Sequence, residues 1–311
     1  MLDVRKLIML RAIAAEGSIA AAARSLKYTR SAVSQQLKAL ERMAGTPLVT
    51  RVGNRITLTP MGQSLVDHTE RILIELRAAE ATLISDTADV SGLLRAGVPF
   101  RSGPRIMIRA LTQVRTQFPS MEVRLVATTD DHGADEVRRE LLDMAIVSRF
   151  GAAHPKKVPG LREWILSNDP LGVCVPLGHP LAEAEVCSLA QLRDEPWIVC
   201  PNSRLGRLTI NLCLTAGFEP TLAATANDIG TAIDLVGAGW GVTIAPTMTP
   251  VGPGVPVARI PIAGVDTLRY SVLIVRDGDH LSPHMKAAID AVRAAGKRLM
   301  EPSVGTDHST A

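Results

Sequence analysis

Thr29, Arg30, Ser31, Ser34, Gln35, Lys38 and Arg42 recur at intervals that a helix gathers on one side, and that side carries no acid. Positions 31, 34, 35, 38 and 42 fall on a single stripe. A glutamine amide suits an adenine edge, lysine and arginine suit guanine or phosphate, and serine hydroxyls are less selective. The bland alternative is a solvated face. Such faces favour Glu–Lys pairs at helical spacing, and none is present here, so the stripe is expected to read and grip duplex DNA. Further on, Arg51 and Arg55 flank Gly53-Asn54, where a narrow groove or a phosphate would be within reach. Alternatively, both arginines only make an exposed strand edge soluble.

Other reactive side chains are placed less purposefully. The seven histidines (His68, His132, His154, His179, His280, His284 and His308) are scattered, with no H-x3-H spacing. No nucleophile, base and orienter come together, so neither an enzyme nor a metal site is expected. Cys174, Cys187, Cys200 and Cys213 contain no C-x2-C pair, and reduced thiols are expected of a cytosolic chain. Cys174 and Cys213 sit inside apolar runs that read as core. Cys200, beside Pro201 and ahead of Arg204, is the candidate for an alternative function, a thiol-based redox sensor, which requires an exposed thiol with a basic neighbour.

Charge sharpens the first expectation. Residues 1–66 hold ten Lys or Arg against three acids, while the remainder holds 24 bases and 28 acids. A basic module thus precedes a slightly acidic body, the pattern of a chain that meets a polyanion at one end. With 46% hydrophobic and 21% charged residues over a length of 311, the chain is expected to fold as two domains and to need no disulfide or metal. Its longest weakly polar run, Leu235 to Met248, contains three glycines and is too short to span a bilayer. Asp3, Arg11 and Glu16 interrupt the N-terminus where a signal peptide would be basic and then apolar. No membrane partner and a cytoplasmic location are expected.

The elements that must hold these groups follow from local signals. Val4, Leu7, Leu10 and Ala14 form a helical stripe, and Gly17 stops that helix. Ser18 caps a second, alanine-rich helix over Ile19–Leu26. Lys27-Tyr28 makes a turn, and Thr29 caps a third helix to about Met43, with Val33, Leu37 and Leu40 facing inward. This is a helix-turn-helix. Val49–Val52 and Arg55–Leu58 then read as a hairpin wing. Thr59-Pro60 opens a long helix, on which Leu65, Ile72, Leu76, Ala79 and Leu83 form a heptad seam. A second copy of the chain is the natural cover for so narrow a stripe, which would pair two recognition helices on a dyad site. Packing on its own body is the alternative.

The run from Leu2 to Gly62, with "EGSIAAAARSLKYTRSAVSQQLKALERMAGTPLVTRVGNRITLTPMG", resembles the DNA-binding region of LysR-type transcriptional regulators. The resemblance continues through the linker helix and, more loosely, to about Met300. Lys27-Tyr28, Arg30 and Val49-Thr50 depart from the family's usual residues and bear on the DNA sequence that is read. The resemblance implies a homodimer or homotetramer that binds promoter DNA, with a periplasmic-binding-protein-like body that takes a small inducer. "AIDLVGAGWGVTIAP" (232–246) is similar to a segment of that body. The expected division is a winged helix-turn-helix over 1–58, a linker and dimerisation helix over 59–90, an effector-binding domain over 91–301 and a flexible tail over 302–311.

Past Val90 short apolar strands alternate with helices, the mark of α/β layers with a parallel sheet. Two lobes are expected, lobe I over about 91–163 and 269–301 and lobe II over about 164–268. The chain crosses between them near Arg162–Leu166 and returns near Leu268–Val275. In such sheets a ligand sits beyond the carboxyl ends of strands and against helix N-termini. Phe100, Arg101, Ser102, Thr128, Ser148, Arg149, Asn202, Ser203, Arg204 and Pro246 occupy such positions. Hydroxyls and helix N–H groups hold an anion, and Arg101, Arg149 and Arg204 could grip it bidentately, so a carboxylate inducer is expected. A purely structural use, with Ser102 as a cap and solvated arginines, is the alternative. No cofactor is expected. A third reading, an architectural DNA-binding protein without a ligand, requires lobes with no cleft.

Overall fold

The computed structural model describes residues 2–52, 55–84, 90–99, 104–151 and 160–300. They group into two compact units, Met1–Asp86 with Asp277–Ser282, and Thr87–Arg276 with Pro283–Ala311.

In the first unit, α1 (Val4–Glu16) starts at Asp3, whose side chain accepts the Arg5 N–H, and ends at Gly17 with φ of 64°. That left-handed backbone suits glycine. Ser18 accepts from the Ala21 N–H to begin α2 (Ile19–Ser25). Thr29 accepts from the Ala32 N–H to begin α3 (Arg30–Ala44). Ala22 and Ala23 are buried with Leu7, Leu10, Ile13, Val33, Leu37, Leu40 and Leu48 in one core. β1 (Val49–Val52) and β2 (Arg55–Leu58) pair antiparallel, Val49 opposite Leu58; the expected Gly53-Asn54 turn lies outside the described residues. Glu41 is engaged by the chain that enters this hairpin, accepting from the Leu48 N–H at 3.0 Å.

α4 (Pro60–Ile84) begins at Thr59, whose hydroxyl accepts the Gly62 N–H and donates to the Pro47 carbonyl. Its buried positions are Gly62, Val66, Thr69 and Leu73, a stripe adjacent to the expected seam. Of that seam Leu65 is half-buried, while Ile72, Leu76 and Ala79 are exposed; the Leu83 side chain lies outside the described residues.

The second unit contains β3 (Gly92–Pro99), α5 (Pro104–Gln117), β4 (Met121–Thr128), α6 (Gly133–Arg138), β5 (Met144–Gly151), β6 (Leu161–Pro176), β7 (Pro196–Val199), α7 (Arg204–Thr215), β8 (Thr221–Thr225), α8 (Ile229–Gly237), β9 (Thr243–Pro246), β10 (Val257–Pro261), β11 (Leu268–Arg276) and α9 (Pro283–Met300). It has the expected α/β character and two lobes, each with its own apolar core. The first lobe centres on Leu94, Leu111, Ile146 and Leu273, covered by α5 and α9. The second centres on Val173, Trp197, Cys213 and Ile244.

Three expectations are corrected. The sheet is mixed rather than parallel: β3 runs parallel to β4 and β5, whereas β11 is antiparallel to both β5 and β6. The expected strand 171–176 is the second half of the 16-residue β6. That strand pairs with β11 up to Pro170 and with β9 and β10 from Leu171 onward, so the crossing falls at Pro170–Leu171 and not at 162–166. The expected helix 135–142 stops at Arg138, because Glu140 takes a positive φ of 61°.

Candidate functional site

The outer face of α3 is open. Thr29, Arg30, Ser31, Gln35, Lys38 and Arg42 are exposed and Ser34 is half-buried, while Val33, Leu37 and Leu40 are buried opposite. Thr29 is partly committed, since its hydroxyl caps the helix and lies 3.1 Å from Ser31 Oγ. Gln36, Glu41 and Thr46, which sequence reasoning passed over, join Gln35, Lys38 and Arg42 around a shallow depression at the end of the helix. Arg51 is exposed on β1. Arg55 holds its strand position opposite Val52, but its side chain lies outside the described residues.

A cleft of about 290 Å³ lies between the lobes of the second unit. Six expected residues line it: Thr128, Ser148, Asn202, Ser203, Arg204 and Pro246. Thr128, Pro246 and the residues that open α7 lie at strand ends and a helix start, as the strand-end rule requires; Ser148 lies inside β5, which runs on to Gly151 rather than ending at Val147 as expected. Ser203 caps α7, accepting the Gly206 N–H at 3.0 Å and donating to the Cys200 carbonyl at 2.8 Å. Thr128 donates to Glu136. Phe100, Arg101 and Ser102 lie outside the described residues.

Arg149 is not part of the cleft. Successive strand residues point to opposite faces, so Ser148 reaching the cleft directs Arg149 elsewhere, where it meets Glu163 at 3.0 Å. Arg204 does line the cleft, but it is not a solitary cation: its Nε lies 2.7 Å from Asp131, which Arg207 also contacts at 3.0 Å. These pairs join the first lobe to α7 of the second.

The sequence reading missed Asp130, Asp131, His132, Asn227, Asp228, Thr249 and Arg269. The Thr129-Asp130-Asp131-His132 run directly follows a strand end and could have been found by the rule that found Thr128. Arg269 had no such signal, because its place on the cleft floor depends on pairing between strands distant in sequence. Arg269 is buried and grips Asp169 through Nε at 3.1 Å and Nη2 at 3.0 Å. Asp130 accepts the Ser148 N–H at 2.7 Å. Burial pushes its carboxyl up, against the opposing effect of the Ser148 bonds and the positive charges of Arg269 and Arg204.

The cysteine expectation is corrected on exposure: all four thiols are buried. Burial, followed by the nearby Asp228 carboxylate, pushes Cys200 up to about 11, so the thiolate that reacts with oxidants is scarce at neutral pH. Its charged neighbour is thus an acid rather than the expected base. Among the described residues no group of three or more His, Cys, Asp or Glu could hold a metal ion, and no helix is long and apolar enough to cross a membrane.

Residues 4–63 match the bacterial regulatory helix-turn-helix protein, lysR family, and residues 87–297 match the LysR substrate binding domain. The chain belongs to the LysR family. It is a LysR-type DNA-binding transcriptional regulator with an effector-binding domain. Among its relatives, the transcriptional dual regulator GltC of Bacillus subtilis is 26% identical over 220 residues, 70% of this chain and 72% of that one. The DNA-binding transcriptional dual regulator OxyR of Escherichia coli is 24% identical over 296 residues, 94% and 95% of the two chains. A full-length OxyR variant from Pseudomonas aeruginosa shares the fold, with a TM-score of 0.61 at 19% identity over 96% of this LysR-family chain and 95% of the other. These relatives are transcriptional regulators, not enzymes. LysR regulators bind DNA and small effectors and form oligomers.

Proposed function

We propose that this LysR-type regulator works in the cytoplasm as a homodimer or homotetramer on a promoter dyad, and that a small carboxylate-bearing inducer bound between its effector lobes changes its DNA affinity or the DNA bend. The functional division follows the sequence reading: a winged helix-turn-helix over 1–58, a linker and dimerisation helix over 59–90, and an effector domain over 91–301. Arg30, Ser31, Ser34, Gln35 and Lys38 read or grip DNA with Thr29 holding the helix start, and Arg51 and Arg55 anchor the wing. One observation carries the effector reading: four chain segments, chosen for their strand-end and helix-start positions, meet around a single cleft.

Arg204 at the start of α7 supports an anionic inducer. Its bond to Asp131 makes the binding competitive: a carboxylate that takes Arg204 loosens an ion pair between the lobes. An inducer acts only through different affinities for two arrangements of the protein, and such an exchange of partners supplies that difference.

The test is a mobility-shift titration of the protein on promoter fragments from its own genome, at low salt, with Gln35→Ala and Ser34→Ala beside the wild type. Each lost base contact should weaken cognate binding by about 1–3 kcal/mol and relax preference at one base step. Unchanged affinity together with unchanged preference rejects the assignment.

A further inference from the structure

Among the described residues the cleft is lined by three carboxylates, Asp130, Asp131 and Asp228, by two guanidinium groups, Arg204 and Arg269, and by the imidazole of His132. Both arginines already hold acids, Arg204 with Asp131 at 2.7 Å and Arg269 with Asp169 at 3.0 Å. Asp228 is engaged by its own helix, accepting the N–H groups of Gly230 and Thr231 and the Thr231 hydroxyl. Asp130 differs. Its carboxylate accepts from Ser148, and among the described residues no cation lies within ion-pair distance of it. A second, independent observation is Thr249, a residue 3% exposed that lines the same cleft and whose Oγ1 has no hydrogen-bond partner among the described residues.

An inducer that is only an anion would add negative charge to this lining, leaving Asp130 with its Ser148 bond but no ion-pair partner and Thr249 Oγ1 with no hydrogen bond. Buried polar groups are rarely left so. We infer that the effector is zwitterionic, of the α-amino acid class, with its ammonium group on Asp130, its carboxylate toward Arg204, and a polar atom of its remainder bonded to the Thr249 hydroxyl. This rests on the reading that the cleft is the effector site. Recognition of an ammonium group by Asp130 is a charge-assisted hydrogen bond, stronger and shorter than a neutral one. It also separates an amino acid from the hydroxy acid of the same shape, which offers a hydroxyl but no charge.

Full-length protein is titrated by calorimetry and thermal shift with three matched sets of probes: L-amino acids, the 2-hydroxy acids of the same side chains, and the corresponding carboxylate-free amines. At least one amino acid should bind, with its hydroxy acid and its amine each weaker by about tenfold or more, a difference of about 1.4 kcal/mol. Asp130→Asn keeps an acceptor for the Ser148 N–H but loses the charge, and should weaken the amino acid by about the same factor. Leu205→Trp, which crowds the cleft lip, should abolish binding. No binding by any amino acid, or equal binding by the hydroxy acids, overturns the zwitterion. If the hydroxy acids bind equally and Leu205→Trp abolishes them, the cleft stands and only the ligand class falls. Binding that survives both variants places the ligand elsewhere and overturns both.

Discussion

Lys38 and Gln35 are neighbours on one exposed face, yet they should respond differently to substitution. A lysine ammonium near phosphate acts through counterion release, whereas a glutamine amide acts through base edges. Lys38→Ala is therefore expected to weaken binding to cognate and random duplex alike, and to reduce the slope of log affinity against log salt by about 0.9. Mobility shifts at several salt concentrations measure this; an unchanged slope removes Lys38 from the phosphate contacts. Residue-scale reasoning also shows where the sequence could have been read further. Ser148 and Arg149 are adjacent in a strand, so alternation alone forbids both from serving one cleft. The pairing of Arg149 with Glu163 at 3.0 Å is the outcome of that parity. By contrast, nothing local to Arg269 announces Asp169, a partner 100 residues away in the chain.

Elements with strong local punctuation were legible, and those defined by distant pairing were not. Asp3, Ser18 and Thr29 each accept a helix N–H as their residue types suggest, because a cap is decided within three residues. β10 and β11 carry no such mark. Their place follows from the antiparallel ladders to β6, which the alternation of strands and helices does not announce. The seam on α4 lies between these cases. Its spacing was readable, but the helix also carries a buried stripe, Val66 and Leu73, one residue away from Leu65 and Ile72. Within the chain, Ile72 and Leu76 remain 37% and 44% exposed, consistent with a cover from a second copy. The double variant Ile72→Glu, Leu76→Glu should lower the sedimenting mass by a factor of about two, since opposed charges replace knobs in a helix seam. It should also abolish preference for a dyad over a single half-site. A variant that sediments like the wild type would move the dimer contact elsewhere.

At the scale of the whole effector domain, the ion pairs from Asp131 to Arg204 and Arg207 are charged contacts that tie one lobe to the other across the cleft. Their side chains are 26%, 37% and 54% exposed, so water screens them and each pair contributes at most about 1 kcal/mol. That is little beside two well-packed cores. It is enough to matter between two lobe arrangements that differ by a similar amount, since 1.4 kcal/mol is about a tenfold shift in their balance. Asp131→Asn, which removes both pairs, should accordingly leave the melting temperature within about 8 °C of the wild type. Amide exchange should speed up severalfold along 128–132 and 203–207, the segments that the pairs hold together. Raising the ionic strength of the wild type should move exchange the same way, because screening acts on exposed charges first. If exchange in those segments is unchanged by substitution and by salt alike, the pairs do not govern opening, and packing alone sets the cleft.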